Sequence, residues 1–184
     1  MFPPIPPWNS LHPLVVHFPI ALLMVAPLFV LAGMFAPRQG EGFSFSGLAL
    51  MVLGTAGAYV AIGTGESAAE LVEQKPAISA AIEAHAELAD WTRLVFSILT
   101  ALFAAILLVP LFIKKPLGKL PKIVIYAVFL ALYAGGMLVL ANTADRGGKL
   151  VHGYGIHASF FAVPTAPGSA TAPRGATAPE RQNH

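Results

Sequence analysis

Six histidines and a few carboxylates are the residues with chemistry to offer in this 184-residue chain, and cysteine is absent. Without thiols the chain forms no disulfide, thiolate metal site, iron–sulfur cluster or covalently attached c-type haem. A metal or haem would have to be held by His, Met, carboxylate or backbone groups. Neutral imidazole is a common metal ligand, and an ionisable group at membrane depth is a functional candidate by default. His12 and His17 open the first long apolar run, His85 precedes the third, and His152 and His157 follow the fourth. His184 stands apart at the end of the chain. There is no HExxH helix, phosphate-binding loop or nucleophile–base arrangement, so no sign of hydrolytic chemistry.

Each histidine has a bland reading beside the sharp one. His17 sits between Val16 and Phe18 in an apolar run. Pro19 removes the helical hydrogen bond to the Val15 carbonyl, so His17 reads equally as a ligand or as a partner for disturbed backbone. His12, just before Pro13, reads as a polar cap at the interface. Five residues separate the two, so they do not share a face of a regular helix. His85 lies among Glu83, Ala84, Ala86 and Glu87 and reads as a ligand or an exposed interfacial residue. His152 falls in a stretch holding Gly147, Gly148, Gly153 and Gly155, which predicts a glycine-assisted turn able to lie against a planar ligand. Glu66 could orient a histidine through its second ring nitrogen, or pair with Arg93 or Arg146. Asp90 and Arg93, three apart on a helix, could pair with each other.

The elements that must position these groups are membrane spans. The chain is 56% hydrophobic and only 11% charged, where a soluble domain carries about 25% charged residues. A bilayer core of about 30 Å takes roughly 20 apolar residues per helix. Four segments meet this, at about 14–36, 43–62, 94–113 and 123–141. Short turn-rich links join the first two and the last two, predicting two antiparallel hairpins. Between the hairpins, Glu66, Glu70, Glu73, Glu83, Glu87 and Asp90 mark an amphipathic extramembrane segment, with a helix from about Ala77 running into the third span. The fold class is therefore an all-α four-transmembrane-helix bundle over residues 1–160. Residues 161–184, rich in Pro, Ala and Thr, read as a disordered tail. The basic residues form no cluster interleaved with aromatics, so nucleic acid is not an expected partner. Met1 to Leu11 contains no Lys or Arg and does not read as a cleavable signal peptide.

Helix parity alone places His12, His17, His85, His152 and His157 at one end of the bundle. Lys114, Lys115, Lys119 and Lys122 lie at the other, which the positive-inside rule puts in the cytoplasm. Both termini are then periplasmic, although Arg146 and Lys149 run against this. Span two carries Gly47, Gly54, Gly57, Ala61 and Gly63, a stripe that offers room for a macrocycle or close helix packing.

The run from Leu11 through His12, Pro13, His17, Phe18 and Pro19 to Leu22 resembles a bacterial family of predicted membrane proteins, domain of unknown function 2231. The likeness extends to Gly65-Glu66, to His85 and to the Gly147–Val151 stretch, covering roughly residues 9–157. In that family a histidine often stands where this chain has Tyr154, and an aromatic residue where it has His152. The resemblance implies the fold and a bacterial inner-membrane location, not an activity. Its histidine layout looks like that of membrane cytochromes b.

Two functions follow as expectations. The first is a small electron-carrying subunit holding haem b near the outer face, with His17 and His85 as axial ligands. In that reading His12 and His152 complete a second site or line a quinone pocket, Glu66, Asp90, Arg93 and Tyr154 stand behind the ligands, and a periplasmic or membrane redox protein is the partner. The second is a non-catalytic membrane subunit whose histidines are structural or bind a partner domain. A copper or zinc site built from His and carboxylate is a third.

Overall fold

The computed structural model describes residues 6–36, 38–72, 76–115 and 118–156. A 3-10 turn at Trp8–Ser10 leads into α1 (His12–Val15) and α2 (His17–Phe35). They are followed by α3 (Gly40–Ala69), α4 (Pro76–Phe112) and α5 (Lys119–His152). No strand occurs among the described residues. Four helices, α1 and α2 counted together, are long and apolar enough to cross a bilayer. The protein is an all-α membrane protein. Leu28, Phe112, Leu120 and Leu138 are all more than 60% exposed, a surface that lipid tolerates and water does not. His157, His184 and the 161–184 tail lie outside the described residues.

The α1/α2 joint falls at Val16, where Pro19 has no N–H to offer the Val15 carbonyl. As the sequence predicts, α4 begins near Ala77 and runs unbroken from the acidic segment into the third span. Two boundaries differ from expectation. Helix α3 continues beyond residue 62 to Ala69, and α5 passes residue 141 and the Gly147-Gly148 pair to reach His152. The expected glycine turn is therefore helix. Each glycine costs about 1 kcal/mol there, but packing of Gly147 against His85 holds the helix together, and the exposed Asp145–Lys149 pair at 2.6 Å adds about 0.3–0.5 kcal/mol. The helix ends where Gly153 N–H bonds the Lys149 carbonyl.

Helices α2, α3, α4 and α5 close a ring, each packed on the next and α5 on α2. Leu23, Val30, Met51, Phe96, Phe103, Phe129 and Tyr133 fill its core. The small-residue stripe of α3 is taken up by packing. A side chain at Gly47, Gly54 or Gly57 would meet Val30, Leu23 or Pro19 of α2, so this part of the stripe leaves no room for a macrocycle.

The two hairpins bury the same register. His12, Pro19, Leu23, Ala26 and Val30 of the first correspond, at one constant offset, to His85, Thr92, Phe96, Leu99 and Phe103 of the second. Ser44, Gly47, Met51, Gly54, Ala58 and Ala61 of α3 correspond likewise to Tyr126, Phe129, Tyr133, Gly136, Leu140 and Thr143 of α5. Apart from the two histidines, which are half-buried, every residue in both series is buried. The bundle is an internal two-fold repeat of one helical hairpin, with both copies running in the same direction.

Candidate functional site

On the side where the first and third apolar runs begin and the second and fourth end, two imidazoles meet. His12 is the first residue of α1, and its Nδ1 donates to the Ala61 carbonyl of α3 at 2.9 Å, with Thr64 Oγ1 at 3.2 Å. His85 of α4 donates from Nδ1 to the Thr143 carbonyl of α5 at 3.1 Å. A carbonyl oxygen can only accept, so in both rings Nδ1 carries the proton and the neutral ring presents a lone pair at Nε2. The ring centres are 6.5 Å apart with their planes at 81°.

A glycine seats each ring. A Cβ on Gly65 would lie 2.9 Å from His12 Cε1, and one on Gly147 would lie 3.0 Å from His85 Cε1. Both glycines stand four residues beyond the carbonyl that takes the Nδ1 proton, Ala61 and Thr143 in turn. The ring thus spans one helical turn of the facing helix, its Nδ1 on the carbonyl and its Cε1 against the glycine. The two hairpins use one device twice, at equivalent positions of the repeat.

Beneath His85, hydroxyls lock α4 to α5. The Thr92 and Thr143 oxygens lie 2.7 Å apart and reach the Leu88 carbonyl at 2.8 and 3.0 Å, so one hydroxyl donates to that carbonyl while the other donates to its partner. Both threonines are buried. This fixes the Thr143 carbonyl and, through it, the ring.

The other sequence candidates are placed differently. The structure brings His12, not His17, to His85. His17 is exposed, and its Nδ1 donates to the Pro13 carbonyl of the preceding turn at 2.8 Å. Five residues turn the helix by about 140° from His12, so one ring faces in and the other out. His152 ends α5, exposed and roughly 13 Å along the axis from Thr143 at 1.5 Å per residue. Tyr154 lies beyond the helix, also exposed. Backbone carbonyls, not Glu66, hold the second ring nitrogens, and Glu66 points outward. Arg93 pairs with Asp90 at 2.9 Å and lies over the Tyr59 ring at 5.3 Å. Sequence reasoning placed Ala61 only in the small-residue stripe of the second span and assigned no role to Thr64, Thr92 or Thr143. The signal was there in Gly65 and Gly147, each a helical turn past a carbonyl and matched across the hairpins.

Two imidazoles whose Nδ1 atoms are tied to backbone each keep Nε2 as the nitrogen available to a metal. Metal–nitrogen bonds of about 2 Å would place the ring centres roughly 6 Å apart. Among the described residues no group of three or more His, Cys, Asp or Glu is placed to hold a metal ion. The site offers two protein ligands.

A family model described as predicted membrane protein (DUF2231) matches residues 9–159. The chain belongs to this family. The match takes in all four spans, both histidines of the pair and both glycine seats. No curated protein and no solved structure matches the chain.

Proposed function

We propose that this member of the family is a small electron-carrying membrane subunit that holds one b-type haem between His12 and His85. The observation that carries the reading is the pair itself: two imidazoles from separate hairpins, 6.5 Å between centres, each with Nδ1 tied to backbone. His12 and His85 would be the two protein ligands of a haem iron, whereas a zinc or copper site wants a third protein donor. Bound there, haem would supply one-electron chemistry. The residues' part is to fix the ligand tautomer through the Ala61 and Thr143 carbonyls. The lysine-rich end lies in the cytoplasm and the pair at the periplasmic face of the inner membrane, within reach of a redox partner there.

The test is a reduced-minus-oxidised spectrum of protein made with ample haem. Soret and alpha bands are expected in the wild type and in His17→Ala, and are lost in His12→Ala and His85→Ala. A colourless wild type, or loss of colour in His17→Ala alone, overturns the assignment. One observation favours a second reading. Each ring bonds a neighbouring helix and fills a glycine seat, which would also serve a colourless structural subunit. In that case His85→Ala lowers thermal stability of a protein that never takes up haem.

A further inference from the structure

A groove of about 530 Å³ runs between α3 and α4, walled by Ala56 and Ala101 and lined by four hydroxyls. It lies within the second and third apolar runs, so it opens to the bilayer. The hydroxyls form two couples. Tyr59 and Ser97 oxygens are 3.2 Å apart, and Thr55 and Thr100 oxygens are 3.0 Å apart. Ser97 donates to the Arg93 carbonyl and Thr55 to that of Phe96. Tyr59 and Thr100 therefore donate within their couples, and their oxygens keep lone pairs toward the groove.

The internal repeat provides a control. The equivalent seam between α5 and α2 carries Met137 and Ala141 where this one has Thr55 and Tyr59. It carries Met24 and Pro27 where this one has Ser97 and Thr100. The fold builds the same helix pair with no hydroxyl at these four positions, the cross-seam hydroxyl bond there being that of Tyr133 to the Leu23 carbonyl in the core, so packing does not require hydroxyls on the lipid-facing side. Lipid-facing polar groups are costly and point to function.

The couples are one helical turn apart, about 6 Å along the axis for four residues. That spacing suits the two para oxygens of a quinone ring. The lone pairs facing the groove accept from the hydroxyls of the reduced ring, and a carbonyl of the oxidised ring takes the Tyr59 or Thr100 proton when that hydroxyl rotates out of its couple. The rest of the lining is apolar, as a site for a flat, membrane-dissolved ring should be. Tyr59 also lies two residues from Ala61, which holds His12. We propose that this groove binds the ring of a membrane quinone. Its redox meaning rests on the haem reading; its occupancy does not.

The experiment uses the full chain in nanodiscs, with ubiquinone-1 and menadione as probes and tryptophan quenching as the readout, corrected against empty nanodiscs. Saturable quenching by either probe is expected. Ala101→Leu, which fills the groove, should weaken it at least 10-fold. Tyr59→Phe combined with Thr100→Val should weaken it about 5-fold or more, with the thermal melt unchanged. Non-saturable quenching, or equal affinity in both variants, overturns the proposal. So does native mass spectrometry showing that Ala101→Leu instead removes a bound phospholipid or dissolves a dimer. Running the titration on haem-free protein separates this outcome from the fate of the haem reading.

Discussion

Glycine decides how the paired imidazoles sit, because a ring can lie on a helix backbone only where no Cβ intervenes. At Gly65 a methyl would come within 2.9 Å of the His12 ring, while at Gly148 it would meet nothing within 4 Å. Gly65→Ala should therefore displace His12 and lower haem content several-fold at a stability cost of about 1–3 kcal/mol. Gly148→Ala should be neutral or stabilise by up to about 1 kcal/mol. Haem-to-protein ratios and thermal melts of the two variants decide the matter, and equal behaviour would remove the seat from the argument. At this scale the sequence was only half legible. It singled out His85 but chose His17 as its partner, whereas His12 is the histidine that turns inward. That depends on the angle at which α1 meets α3, a packing outcome that five residues of spacing leave open.

Proline 27 shows the same logic for a helix. Its missing N–H frees the Leu23 carbonyl in the middle of the first span, and in lipid no water can satisfy that oxygen. Tyr133 of α5 donates its hydroxyl there at 2.7 Å, buried. Tyr133→Phe should cost about 1–3 kcal/mol by leaving the carbonyl unpaired. Adding Pro27→Ala returns an N–H to the same oxygen and should recover most of the loss. Melts of the single and double variants in detergent measure this; a double variant no better than the single would exclude the account. The existence of all four helices was plain from apolar runs, since nothing else buries so little charge. Their ends were not. Gly147 and Gly148 read as a turn because intrinsic propensity was the available guide, and packing against His85 overrode it.

For the whole molecule, the absence of cysteine makes topology directly measurable. Glu83 and Lys119 are both exposed, at opposite ends of the bundle. In intact cells, Glu83→Cys should react with a membrane-impermeant maleimide and Lys119→Cys only after permeabilisation. The reverse pattern would put the imidazole pair in the cytoplasm. The bundle itself followed from four spans and short links. The two-fold repeat did not, because corresponding residues share burial rather than identity: Leu23 matches Phe96, and Met51 matches Tyr133. Core positions accept any apolar residue of suitable volume, so a register can be conserved while its letters change.

That repeat has a consequence for how the protein can change. A dimer of separate, identical hairpins would carry every substitution on both sides of its axis, and a groove lined with hydroxyls would appear twice. Joining the hairpins in one chain releases each from the other. The central pair stays matched, each imidazole tied to a backbone carbonyl and set against a glycine of its own hairpin. The flanks are free to part company, one seam turning methionine and proline to the lipid while the other turns out tyrosine, serine and threonine.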